Sequence, residues 1–172
     1  MVEWWSGTSA VCRSNAEPDA HMVIHELTID ECRDILSAAT YARLACARAN
    51  QPYVVPIALA FDLTTGNLFS VSAPGKKITW MRRNPRVCVE LENITDRFHW
   101  TTVVIIGRYE EIPPTAEYRQ LRERALDVFK PRSEWWLPAL GKIDGRKAES
   151  LIVYRIQIDQ ISGRRAARPG TT

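Results

Sequence analysis

Gly75-Lys76-Lys77 places two lysines side by side, directly after a glycine and ahead of a short helical pattern. Ile78 and Met81, three apart, give that pattern one apolar side. Asn84-Pro85 stops it, because the residue before a proline is pushed out of the helical region. A helix over 76–83 is predicted. Its first N–H groups have no partner inside the helix, and its dipole favours negative charge at that end. Lys76 and Lys77 add two cations on the same turn. The glycine is read as the residue that lets the chain turn sharply out of the preceding strand. Together these features make a cradle for a phosphate-like anion. The other reading is a solvated Lys/Arg face on a surface helix, and pattern alone does not choose between them.

Other residues capable of chemistry give weaker patterns. His21 and His25 are four apart, a spacing that on a helix would hold a metal, but "HMVIHELT" reads as extended and offers no third ligand. No metal is expected. His99 follows Phe98 just ahead of a strand and reads as a surface-loop histidine, with contact to a ligand at a site's mouth as the other reading. Trp135 and Trp136 are flat rings that either cover an aromatic ligand or pack in a core or interface. Arg82, Arg83 and Arg86 beside Trp80 have the composition of a nucleic-acid patch. The patch is short, and the whole chain carries only +3 with a pI near 8.8, so no nucleic-acid partner is expected. Cys12, Cys32, Cys46 and Cys88 form no close pair of the kind zinc sites use. The last three sit among apolar residues and read as small buried hydrophobes. Dispersed cysteines, with no signal-like start, give a cytoplasmic expectation.

The elements that must position these residues are mostly strands. "LTIDECRDILSAA" opens a helix, with Thr28 as N-cap and Glu31 as the reciprocal capping-box residue. Strands are predicted at 41–47, 53–62, 67–73, 86–91, 100–112 and 150–161, from alternation and β-branched content. Pro56 in the second marks a bulge or an unpaired edge. "TAEYRQLRERALDVF", after Pro113-Pro114, shows an apolar face at helical spacing. Consecutive strands mostly lie too close for helical crossovers. The chain is therefore read as mainly β, an antiparallel barrel of six strands with peripheral helices. Residues 1–22 form an irregular arm carrying Trp4 and Trp5, 23–163 a single domain, and 164–172 a basic flexible tail. The chain has 172 residues, 45% of them hydrophobic, which suits one packed domain. No apolar run approaches the roughly 20 residues a bilayer requires, so no membrane partner is expected.

"GKKITWMRRNPRVCVEL" followed by "WTTVVIIGRYEE" resembles the pyridoxamine 5′-phosphate oxidase-like family, the FMN-binding split barrels, and within it the nitroimidazole-resistance-like branch. The likeness runs from about Glu26 to Arg164 and includes "PYVVPIALAFD" and a last strand ending in Ser-Gly-Arg. It implies a six-stranded antiparallel split barrel, a homodimer, and FMN at the dimer interface. It also implies an oxidoreductase acting on a small-molecule substrate. By the same likeness Lys76 and Lys77 match the basic pair on the FMN phosphate, and Val55, Pro56 and Ile57 the strand whose backbone lines the flavin ring. Val71 and Ser72 match the strand reaching the ribityl chain, Thr102 a polar contact to ring or phosphate, and Trp100 an aromatic near the site. Two departures stand out. Val71 occupies a position where several nitroimidazole-resistance-like proteins carry histidine, and "SGRRAARPG" lacks the histidine of the vitamin enzyme's R-x-H motif. No catalytic acid or base is evident. A non-catalytic flavin- or haem-binding protein, and a reductase using the related deazaflavin coenzyme, are the alternatives.

Overall fold

A computed structural model describes residues 22–130 and 151–168. The elements in chain order are β1 (Val23–Glu26), α1 (Ile29–Ala38), β2 (Tyr41–Arg48), β3 (Gln51–Ala58), β4 (Ala60–Asp62) and β5 (Asn67–Ser72). They continue with α2 (Lys76–Arg83), β6 (Arg86–Ile94), β7 (Trp100–Glu111), α3 (Arg119–Phe129) and β8 (Ile152–Ala167). The strands form one antiparallel sheet of eight, in the order β3-β2-β6-β7-β8-β5-β4, with β1 also pairing β8. β3, at one end of that order, approaches β5, next to the other end, where Ser70 Oγ donates to Ala58 O at 2.7 Å, so the sheet curls into an open barrel. Pro56 lies on β3, the terminal strand, where a missing donor costs no ladder bond.

Two layers of core follow from strand alternation. Leu44, Leu68, Val89, Val103, Ile105 and Ile156 point inward, all under 2% exposed. On the opposite face of β5, Phe69 and Val71 pack beneath α3 with Ile112, Ala125 and Val153. Gly107 sits where β7 and β8 slip register, and a Cβ there would fall on Gln157 O. Gly163 leaves room for Cys32 and Leu27 beneath α1.

The chain departs from the sequence reading in four places. There are eight strands, not six: β1 is added, and the strand expected over 53–62 breaks at Leu59, whose N–H turns to Thr40 O. β8 runs to Ala167, through the start of the expected tail, because β1 and β7 flank it and supply its hydrogen bonds. β6 extends through Ile94 into the polar connection. The helix expected from Thr115 starts only at Arg119, after turns over 114–118. Among the described residues no helix is long and apolar enough to cross a membrane.

α3 is fastened to the sheet by a buried carboxylate. Asp62 is 2% exposed at the end of β4. It accepts from Thr64 N at 3.1 Å, Thr65 Oγ1 at 2.8 Å, and Arg124 Nε and Nη2 at 3.0 and 2.7 Å. The Arg124 guanidinium, with these other donors, holds the Asp62 carboxyl down to about 2 despite its burial.

Candidate anion site at the start of the second helix

α2 spans 76–83 as its spacing predicts, and the thiol, aromatic and cationic groups around it define the site. Ile78 and Met81, 1% and 0% exposed, seat it in the main core. Its C-terminal end is tied down three ways. Asn84 Nδ2 donates to Ala47 O at 3.0 Å, near the end of β2. Arg82 grips Glu111 through Nε and Nη2, at 2.5 and 3.1 Å. Tyr109 Oη donates to the same carboxylate at 2.6 Å, and its ring packs on Tyr154, centroids 5.2 Å apart.

The N-terminal end is different. Gly75 is the N-cap and no side chain caps the helix. The first-turn amides therefore have no intrahelical acceptor and no side-chain substitute. Gly75 has φ 180°, an extended conformation open to any residue, so the expected need for glycine's freedom is not what the turn uses. A Cβ at Gly75 would meet nothing within 4 Å: the space in front of the helix start is open.

The two lysines lead different lives. Lys76 Nζ lies over two rings, 4.5 Å from the Tyr53 centroid and 4.7 Å from that of Trp80. The rings are 5.6 Å apart and tilted by 57°. Lys77 is half-buried. Desolvation lowers its ammonium's pKa, and the charge of Cys46 offsets that only in part. Cys46 is 4% exposed, and burial pushes its thiol up while both lysines pull it down. Among the described residues no carboxylate pairs with Lys76 or Lys77. Buried charges are normally paired, so a half-buried ammonium with no carboxylate partner among the described residues, at an uncapped helix start, is a candidate for holding an anion.

The residues singled out in the sequence fall into three groups. Val55 and Ile57 face inward on β3, in the same alternation as Tyr53, which stands opposite Cys46. Ser72 is buried, and its Oγ donates to Ala73 O at 2.8 Å. Pro56 faces out, opposite Arg43. Val71 packs under α3. Trp100 and Thr102 lie toward the other end of the barrel. The level of Cys46 passes through Val87 to Gly107. From Gly107 back to Thr102 is about 17 Å along β7 at roughly 3.4 Å per residue. Thr102 opposes Arg164 and lines a cavity of about 480 Å³ with Leu27, Ile161 and Ser162. One chain does not bring these two groups together.

Sequence reasoning missed Tyr53, Trp80 and Cys46 as companions of the lysines. Trp80 was legible as i+4 from Lys76. Tyr53 and Cys46 arrive by strand pairing, which no local pattern reports. His25 lies in β1 opposite Arg165, and among the described residues no group of histidine, cysteine or carboxylate is placed to hold a metal. Cys12, His21, Trp135 and Trp136 lie outside the described residues, as does the arm up to 21.

Comparison with known proteins places this geometry in context. Residues 28–165 match the family described as Pyridoxamine 5′-phosphate oxidase. RA0666 of Rhizobium meliloti is 36% identical over 151 residues, 84% of this chain and 97% of that protein. The crystal structure of mll6688 from Mesorhizobium loti, named a FAD-binding protein, is 37% identical, with a TM-score of 0.70 over 86% of this chain and all of that one. A protein of Bacteroides thetaiotaomicron named for 5-nitroimidazole antibiotic resistance shares the fold at 17% identity, with a TM-score of 0.61 over 85% of this chain and 89% of that one. At that identity the likeness is one of fold, so the finer assignment to a nitroimidazole-resistance branch has little support. The mainly antiparallel sheet, its curl and its three helices are those of the split barrel, and this chain belongs to the pyridoxamine 5′-phosphate oxidase-like family.

Proposed function

We propose that this chain is a flavoprotein that binds FMN by its phosphate at Lys76 and Lys77 and acts as an oxidoreductase on a small molecule. One observation carries the reading: a half-buried Lys77 and its neighbour Lys76 have no carboxylate partner among the described residues, at an uncapped helix start facing open space. A phosphate monoester close to two negative charges fits that deficit. Lys77, already desolvated by the barrel, gives up little hydration when it meets the phosphate. Val55 and Ile57, packed against the core on β3, are the proposed wall for the flavin ring. When bound, the flavin supplies the hydride chemistry, while the residues supply position, charge and a dry wall.

The site is completed by a second copy of the chain. At roughly 3.4 Å per residue, Thr102 stands about 17 Å and Trp100 about 24 Å along the barrel from the lysine level. A two-fold partner brings one protomer's Thr102 end to the other's lysine end, a homodimer with the ligand between protomers. A flavin dinucleotide in place of FMN is the second reading, favoured by the FAD-binding name of mll6688, 37% identical to this chain.

The test is equilibrium titration of the flavin-free protein with FMN and riboflavin. Lys76→Ala/Lys77→Ala is expected to weaken FMN at least about tenfold, since each charge-assisted hydrogen bond contributes about 1.5–3 kcal/mol. Riboflavin lacks the phosphate and should lose far less. Equal losses for both ligands, or none, would return the lysines to the role of a solvated helix end.

A further inference from the structure

We propose that Lys77 is a modification site: an acyl phosphate that seats its phosphate at the start of α2 acylates the Lys77 side chain and so closes the site to a phosphate-bearing ligand. The inference rests on the phosphate reading of the lysine pair above and adds a means of regulating that site.

The neighbouring amines are not equivalent nucleophiles. Lys76 Nζ is engaged as a cation by two ring faces, 4.5 Å from the centroid of Tyr53 and 4.7 Å from that of Trp80. Lys77 is half-buried, and among the described residues neither a ring face nor a carboxylate holds its ammonium. Desolvation lowers its pKa, so more of it stands as the neutral amine, the form that attacks a carbonyl carbon. Lys130 is the contrast: it is exposed, and its Nζ pairs with Asp127 at 2.8 Å.

The helix start brings the reagent to this amine. α2 has no side-chain cap, and a Cβ at Gly75 would meet nothing within 4 Å. An acyl phosphate carries an anionic phosphate and, two bonds from phosphorus, an electrophilic carbonyl carbon. Held by its phosphate, it presents that carbon on the turn that carries Lys77, and docking of this kind replaces a chance encounter by a local one. The Lys77 amine attacks the carbonyl carbon. A C–N bond forms, the C–O bond to the phosphate breaks, and the phosphate leaves with that electron pair. The extra proton on nitrogen passes to the departing phosphate, and nothing is oxidised or reduced. FMN is an alkyl phosphate with no acyl carbon, so it fills the same cradle without reacting. The acylated side chain is a neutral amide with no charge to offer a phosphate.

The experiment incubates the flavin-free full chain with acetyl phosphate, and fragmentation of its peptides by mass spectrometry assigns the acetyl group to Lys76, Lys77 or Lys130. Lys77 is expected to react at least about tenfold faster than Lys130, a small part of the advantage open to a docked reagent. A phosphate-free acetyl thioester should lose most of that preference. Inorganic phosphate and FMN should each slow acetyl phosphate at Lys77 and leave Lys130 unchanged. Protein acetylated at Lys77 should bind FMN about tenfold more weakly, the loss of one charge-assisted hydrogen bond. Every arm uses the natural protein, so no substitution has to fold. Acetylation mainly at Lys76, a Lys77 rate no higher than that of Lys130, or an equal preference with the thioester would overturn the inference. Any of these results in a preparation that binds FMN leaves the flavin reading standing. If FMN does not bind, and neither FMN nor inorganic phosphate protects Lys77, the flavin reading and this inference fall together.

Discussion

Two charged clusters bracket β5, and they are opposites. Before the strand, Asp62 is a buried carboxylate with a donor on every side, from Thr64, Thr65 and the fork of Arg124. After it, Lys77 is a half-buried ammonium with no carboxylate partner among the described residues. The same short strand positions both, and both are partly withdrawn from water. The first cluster is complete within one chain and ties α3 to the sheet. The second is incomplete within one chain and faces open space. Evolution tolerates an unpaired desolvated charge where a ligand supplies the partner, because residues kept for binding are commonly not those that stability would choose. On the proposed reading, the contrast separates a structural charge from one kept for a ligand.

The largest test removes the complete cluster. Asp62→Ala leaves Arg124 and two further donors without their acceptor. Arg124 is 46% exposed at its side chain and recovers part of its hydration. The expected cost is about 2–3 kcal/mol, the range for losing charge-assisted hydrogen bonds to one buried group. Urea unfolding of the flavin-free protein measures it. A loss under about 0.5 kcal/mol would mean that α3 is held by its apolar face alone.

Acid should dismantle the same cluster by a smaller amount. The folded Asp62 carboxyl titrates at about 2, below an ordinary value of 3.8. A carboxyl with a depressed folded pKa stabilises the fold above its unfolded pKa. That contribution fades as pH falls, because the unfolded chain takes up a proton that the folded chain refuses. The window lies between about pH 4 and pH 2, and the amount is about 2 kcal/mol at 1.36 kcal/mol per pKa unit. Comparing the natural chain with Asp62→Asn across that window isolates the contribution. Parallel stability curves for the two proteins would remove Asp62 from the acid response.

How far these clusters were legible in the sequence follows from how local each one is. The capping box of α1 forms as spaced: Thr28 Oγ1 accepts from Glu31 N at 3.3 Å, and the Glu31 carboxylate accepts from Thr28 N at 2.9 Å. α2, with its lysines, anchor and stop, was equally local and formed over 76–83. Asp62 and Arg124 are 62 residues apart, and no periodicity connects them. Cys46 meets Tyr53 through a hairpin whose turn, Ala49-Asn50, takes positive φ at both residues without a glycine to announce it. The end of β8 was hidden because Arg164 and Arg165 read as a solvated tail, while their backbones are paired to β1 and β7. Val71 is the instructive case. Resemblance gave Val71 and Ser72 one shared role, while alternation along β5 sets Val71 under α3 and Ser72 on the other face. A one-residue change of face is invisible until the partner strands are known.

The smallest effect is the sharpest test, because its sign separates the two clusters. Lys77 carries its charge at a desolvation cost, and at neutral pH no carboxylate among the described residues offsets it. Burial lowers its pKa in the folded chain. The unfolded chain therefore binds a proton more readily, and the fold carries the full penalty below the folded pKa. The penalty is relieved as pH rises through the folded value toward the ordinary 10.5. Lys77→Met keeps the length and apolar stem of the side chain and removes the charge. In the flavin-free protein this substitution should raise stability by roughly 0.5 kcal/mol or more, as removal of a strained functional group commonly does. It should also flatten the stability profile on the alkaline side. On the proposed reading, saturating FMN should reverse the ranking, since the natural chain would gain from ligand binding and the variant would lack the proposed phosphate contact. Urea midpoints of both proteins, with and without FMN, give all four values. If Lys77→Met destabilised the flavin-free chain by as much as Asp62→Ala does, Lys77 would be a structural charge like Asp62, and the phosphate would have to be held by Lys76 and the helix start alone.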